Sequence, residues 1–220
     1  MRALDLITEE IPPLTHSDTG EKALNWMDEF KVSHLPVLKF GVFVGLISEA
    51  DILDKMDIDK TLDELFQHLP RPYALDSDHI YQVISILSEL KLTVIPVLDK
   101  NEKYLGCSSV QHLMSLIANT GGIKENGGIV VLEMAASDYS MAEISQIVES
   151  NDAKILSSYI VASENSTTIE VTLKINNIEL DRIIRTFERY DYIIKASYQK
   201  GEFEDDMQFR YDALMNYLKL

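Results

Sequence analysis

The chain has 220 residues, 46% of them hydrophobic and 25% charged, and a formal net charge of −16 from 20 basic and 36 acidic side chains. That composition supports an ordinary globular core and excludes wholesale disorder. The charge runs −9 over residues 1–118, −5 over 119–198 and −2 over 199–220, which repels a phosphate backbone and argues against nucleic acid as a partner. No run reaches the roughly 18 apolar residues of a membrane helix, and the start, "MRALDLITEE", lacks a signal-peptide core. A lone cysteine, Cys107, allows no intramolecular disulfide, so the expected setting is cytoplasmic.

Along the chain, the "SD" pair at Ser17–Asp18 offers an N-cap. Ala23, Leu24, Met27 and Phe30 follow at helical spacing. Trp26 falls on the same apolar face and reads as core rather than as an aromatic cage. Next come a strand ending in Pro-Val-Leu, a turn ("KFG"), a second strand ("VFVGLIS") and a second helix. The same order then returns. Ser17 to Leu38 aligns without a gap on Ser77 to Leu98, with identities at Ser17/Ser77, Asp18/Asp78, Glu29/Glu89, Lys31/Lys91, Pro36/Pro96, Val37/Val97 and Leu38/Leu98. After a one-residue insertion Gly45, Ser48 and Leu53 fall on Gly106, Ser109 and Met114. A unit of about 60 residues buries too little surface alone, so two such units are expected to share a core.

Residues 119–128 carry four glycines in ten and read as a linker. The strand "IVVLEMA" follows, then a helix opened by Ser140 with Glu143 as a capping box. Two strands run through "AKILSSYIVAS" and "TTIEVTLKI". A helix over about Glu179 to Tyr190 and a last strand, "YIIKASYQ", complete this part. In the tail, residues 201–220, Met207, Tyr211, Leu214, Met215 and Leu218 share one helical face suited to docking.

The order helix, "HLPVL", turn, "VFVGLISEADIL", given twice, resembles the CBS domain in its tandem arrangement, the Bateman module. The resemblance covers residues 1 to about 118 and implies two pseudo-symmetric β-α-β-β-α units, 1–60 and 61–118. The β-α-β-β-α-β order of residues 129–200 is similar to the ferredoxin-like ACT domain. The expected class is therefore α+β, and the whole arrangement resembles the accessory protein of acetoin utilisation. The resemblance implies a sensor of adenosine-type ligands (AMP, ADP, ATP or S-adenosylmethionine). It also implies a homodimer, an unknown protein target and no obligatory cofactor.

Ser48 and Asp51 focus the question of function. Their spacing suits a capping box worth about 1 kcal/mol. Catalysis is disfavoured, because Asp51 is a weak base for a serine hydroxyl and no histidine is placed to bridge them. The CBS pattern Gly-x-x-Ser/Thr-x-x-Asp implies a third role, in which the carboxylate accepts from two ribose hydroxyls and a helix start faces phosphate. The resemblance joins Ser48 and Asp51 to Leu92, Thr93 and Val94, with Pro72 near the base and Arg71 as the best-placed cation. It implies backbone contacts from Thr93 and Val94 to the purine edge. A weaker site joins Ser109 and His112 to Val32, Ser33 and His34. There His112 replaces the aspartate and cannot bridge two hydroxyls as a neutral ring.

The pattern's usual basic residues before the prolines are absent, Ser33 and Thr93 standing there, so a ligand with few phosphates is expected. The ACT-like corner "SDYSMAE" lacks the family's glycine, which favours dimerisation or docking over amino-acid sensing. No CxxC, HExxH, P-loop, GxGxxG or GxSxG motif occurs, and the five histidines show no metal-ligand spacing. Two readings remain open: a non-catalytic adenosine sensor, and a structural interaction module with vestigial pockets.

Overall fold

A computed structural model describes residues 1–64, 69–162 and 167–199. The chain divides into two compact units, Met1–Ile117 and the part from Ala118 onward.

The first unit contains the same arrangement twice. In its first half β1 (Leu14–Thr15) leads to α1 (Gly20–Phe30), β2 (His34–Lys39), β3 (Val42–Ser48) and α2 (Glu49–Lys55). The second half repeats this with β4 (Ala74–Leu75), α3 (Ile80–Glu89), β5 (Val94–Leu98), β6 (Tyr104–Ser109) and α4 (Val110–Ala118). Each half forms a three-stranded sheet, β1-β2-β3 or β4-β5-β6, with the short strand parallel and the hairpin antiparallel. Both hairpins shift register at the same place, Val37/Leu38 and Val97/Leu98.

The helix starts differ from expectation. Thr19 and His79 are the N-caps, one residue beyond each "SD" pair. Asp18 and Asp78 instead accept from the Thr15 and Leu75 amides at 2.7 and 2.8 Å. The pair thus closes the turn from strand to helix, the local use to which a short carboxylate is suited.

The core is shared. Val94 and Cys107 of the second half pack with Ala23, Met27, Leu35, Val37 and Ile47 of the first. The cut expected at residue 60 does not follow the packing. Ala3 and Leu6, in a 3-10 helix, pack into the second half's core with Ala74, Val83 and Ile95, while Leu62 packs into the first. The Ala3 and Thr8 amides hold that crossing through the Asp78 and Cys107 carbonyls, at 2.8 and 3.0 Å. Gly45 permits the matching approach of the inter-repeat segment: a Cβ there would stand 2.5 Å from Leu69 Cβ and 2.9 Å from the Pro70 carbonyl oxygen. Trp26 packs half-buried against the core, with the Lys22 ammonium 4.4 Å above its ring.

In the second unit β7 (Gly128–Ala135), α5 (Met141–Glu149), β8 (Ile155–Ala162), β9 (Thr168–Ile175), α6 (Asp181–Arg189) and β10 (Ile193–Tyr198) follow in order. They make a four-stranded antiparallel sheet, β10-β7-β9-β8, the split β-α-β arrangement. The alternation of β9 buries Ile169, Val171, Leu173 and Ile175 against Ile144, Ile147 and Val148 of α5 and Ile183 and Phe187 of α6.

Half of the capping box expected on α5 is formed: the Ser140 hydroxyl accepts from the Glu143 amide at 3.4 Å. Burial, helped by the nearby Glu143 carboxylate, pushes the Tyr192 hydroxyl above its ordinary pKa. The helix expected within residues 201–220 lies outside the described residues.

Candidate functional site

Both Ser-x-x-Asp/His motifs lie at helix starts, each where the last strand of its half ends. Ser48 pairs across the sheet with His34, and Ser109 with Val94. The residues before β2 and β5, Ser33 and Thr93, meet between the two halves. The Thr93 hydroxyl accepts from the Ser33 amide at 2.9 Å and lies 3.0 Å from His34 Nδ1. The Thr93 amide donates to the same nitrogen at 3.3 Å. An Nδ1 that accepts leaves the ring proton on Nε2. The first amides of α2 and α4, Glu49 and Val110, donate to the carbonyls of Ser33 and Thr93, both at 3.0 Å. Ser33, His34, Thr93 and the starts of α2 and α4 therefore meet along one seam.

This convergence corrects one expectation. Thr93 cannot present its backbone to a purine edge as the chain stands, because its amide is held by His34 and its carbonyl by Val110. Val94 is fully buried, with Val32 nearly so, and both belong to the shared core. Leu92 is half-buried on the second core, and its amide closes the end of α3 on Leu87 at 3.0 Å.

The capping box at Ser48 is fully formed. The Ser48 hydroxyl accepts from the Asp51 amide at 3.1 Å, while Asp51 Oδ2 accepts from the Ser48 amide at 3.1 Å and its hydroxyl at 2.6 Å. Lys55, one turn on, takes Asp51 Oδ1. Burial works against the charge, but the bonds from Lys55 and Ser48 outweigh it and hold the carboxyl below its ordinary range. The side chain is 17% exposed, so an ionised acceptor stands at the rim of the seam. Burial in turn pushes the His34 imidazole below its ordinary pKa, the Asp51 charge opposing this in part.

Arg71, expected as the cation of this site, is directed elsewhere. It donates to the Phe43 carbonyl and to Glu102, both at 3.3 Å, and lies over the Phe43 ring. Phe43 is five residues from Ser48 along β3, about 17 Å at the usual strand rise. Pro72, half-buried, follows Arg71 on the same segment. Lys55 is the cation beside Asp51, and its i,i+4 spacing was the available signal.

The Ser109 and His112 side borders a cleft of about 810 Å³, which Glu10, Ile11, Glu29, Phe30, Lys31, Gln111 and Ser115 also line. Ser109 is buried, and its hydroxyl accepts from the His112 amide at 3.1 Å, capping α4. The lining from the end of α1 and the segment before β1 was not read from the sequence, since only the fold brings residues 10 and 11 to residue 112. Among the described residues no group of three or more His, Cys, Asp or Glu could hold a metal ion, and no helix is long and apolar enough to cross a membrane.

Residues 3–58 match the profile of the CBS domain family, and the second half of the unit repeats the element order of that segment. A curated relative, an uncharacterized 33.4 kDa protein in the ribosomal RNA operon of Thermofilum pendens, is 25% identical, with 54% of this chain and 47% of the relative covered. The chain thus spans about half the length of the curated relative it matches. A solved CBS domain pair/ACT domain protein of Thermotoga maritima is 22% identical, with a TM-score of 0.47 and coverage of 53% of this chain and 96% of that one. The structure of CBSX2, solved in complex with AMP, is 24% identical, with a TM-score of 0.46 and coverage of 56% and 98%.

Proposed function

We propose that the chain is a non-catalytic regulatory module whose first unit, a tandem CBS pair, takes an adenosine-type ligand (AMP, ADP, ATP or S-adenosylmethionine) at the seam between its halves. The second unit is an ACT-like module serving dimerisation. One observation carries the reading. The two helix starts bearing Ser48/Asp51 and Ser109/His112 open on a single seam, with an ionised carboxylate on one side and a cleft of about 810 Å³ on the other. That volume lies within the usual span of small-molecule sites.

Binding at the Asp51 side is an exchange. The ribose hydroxyls replace Ser48 and Lys55 on the carboxylate, and a base reads the Thr93 amide only after His34 releases it. Each internal bond so lost offsets about 1 kcal/mol of the gain, so a weakly bound ligand of few phosphates is expected. Calorimetric titration with each of the four ligands, on the unaltered chain and on Asp51→Ala, tests the reading. Heat with at least one ligand, reduced in the variant, supports it; no heat with any, or equal heat in both, overturns it.

A second reading is favoured by the same bonds. With the Ser33 and Thr93 amides and the Asp51 carboxylate all partnered internally, the seam also serves as a scaffold with ligand-free pockets. That reading expects a melting temperature indifferent to every nucleotide.

A further inference from the structure

The sheet of the second unit has one covered face. Both of its described helices, α5 and α6, pack on the side of Val130, Leu132, Val171 and Leu173. Alternation turns Ile129, Val131, Thr172 and Lys174 to the other side. Register sets Tyr159 and Val161 of β8 and Ile193 and Tyr198 of β10 there too, beside Thr172, Glu170, Glu133 and Ile129. These four are 60%, 50%, 61% and 60% exposed. An antiparallel sheet can leave one face in water when that face is polar. Here it is largely apolar, and both of its lysines are engaged. Lys195 pairs with Glu170, and the Lys174 ammonium donates to the Gly127 carbonyl at 2.9 Å. A groove of about 150 Å³ on this face is lined by Ile123, Ile129, Tyr159, Thr172 and Lys174.

We propose that residues 207–218 of the same chain cover this face as a helix, with Met207, Tyr211, Leu214, Met215 and Leu218 turned onto Ile129, Val131 and Tyr159. Three features select this occupant. The first is reach. Strand β10, an outer strand of the sheet, ends at Tyr198, and a connection over 199–206 can span up to about 26 Å. The outer strands of a four-stranded sheet stand about 14 Å apart, and a helix of twelve residues is about 18 Å long. The second is complementarity. The five apolar residues fall in one helical stripe, and the segment holds one arginine and one aspartate, so it is neutral within a chain of net charge −16. The third is tethering. A short connection gives an effective concentration in the millimolar range, whereas a second copy must arrive from solution against like charge. The inference goes beyond the function proposed above and needs neither a nucleotide nor a dimer.

Hydrogen exchange read by mass spectrometry on the full chain tests this docking. Peptides within 207–218 should be protected, and equally so at low and high protein concentration. Val131→Asp sets a carboxylate beneath the helix and should cut that protection about tenfold or more, since a buried unpaired charge is costly. Leu214→Asp should do the same from the other side. In thermal melts the two substitutions together should cost less than the sum of each alone, because either one undocks the helix. Tyr81→Asp, at an exposed position of the first unit, should leave the protection unchanged. Circular dichroism identifies any variant that fails to fold, and Val131→Thr is then the milder substitute. No protection of 207–218 in the unaltered chain overturns the proposal. Protection retained in Val131→Asp sets the segment elsewhere and overturns it too. Protection that rises with protein concentration gives the face to a second copy, with the same result. None of these outcomes bears on the nucleotide titration.

Discussion

His34 Nδ1 lies 3.0 Å from the Thr93 hydroxyl and 3.3 Å from the Thr93 amide, joining the two halves of the first unit at the point where their pre-strand residues meet. The Thr93 hydroxyl also accepts from the Ser33 amide, so one side chain satisfies two groups of the other half.

Removing that hydroxyl leaves the half-buried Ser33 amide without its acceptor and strips His34 Nδ1 of its closer contact, the Thr93 amide alone remaining. Thr93→Val is expected to cost about 1–3 kcal/mol. Thr93→Ser keeps the oxygen and should cost less than about 1 kcal/mol. Urea unfolding of both variants at pH 7.5 distinguishes a hydrogen-bonding role from simple packing.

The His34 contact makes stability depend on pH with a definite sign. Its folded pKa is depressed from the ordinary 6.5, chiefly by burial. Below that value the unfolded ring binds a proton before the folded one does, so stability falls as pH drops from about 6.5. His34→Gln should remove this component. The difference between the two proteins' urea midpoints, followed from pH 7.5 to 5.5, should shrink toward low pH; a constant difference counts against the assignment.

Asp51 behaves in the opposite range. Its folded pKa lies below the ordinary 3.8, so its contribution is complete above that value and is lost as pH falls through the folded pKa. Asp51→Asn should therefore flatten the stability curve below about pH 4. At neutral pH Asp51→Ala loses the box and should cost about 1 kcal/mol.

Gly45 has no room for a methyl group, with Leu69 Cβ 2.5 Å and the Pro70 oxygen 2.9 Å from where it would stand. Gly45→Ala must displace the inter-repeat segment or strand β3, at about 1–3 kcal/mol. Thermal melting checks this, with Gly41→Ala as a comparison in which a Cβ meets nothing within 4 Å but strains a positive φ.

Cys107 is fully buried, and burial pushes its thiol up to about 11. In the native protein it should be inert to a thiol reagent at pH 8 and react fully in denaturant. Rapid native labelling would show that the shared core opens readily.

Much of the architecture was legible in the chain. The helical spacing of Ala23, Met27 and Phe30, the 60-residue repeat and the alternation of β9 are local patterns, and each marks an element that formed. The Ser48/Asp51 box was legible for the same reason, since its bonds span three residues. The "SD" pairs misled by one position because an aspartate can close a turn as readily as cap a helix. Arg71 misled because its nearness in sequence to Pro72 says nothing of the direction in which its long side chain reaches.

By itself, then, the sequence determined the order of elements, the duplication and the presence of a carboxylate at a helix start, because propensity, periodicity and capping act over a few residues. The tertiary structure alone decided that the Ser33 amide finds the Thr93 hydroxyl, 60 residues away, that Ala3 and Leu6 cross to the second core, and that a cleft of about 810 Å³ opens beside His112. Those outcomes rest on which polar groups and apolar surfaces meet once the halves pack, and no local pattern encodes such a meeting.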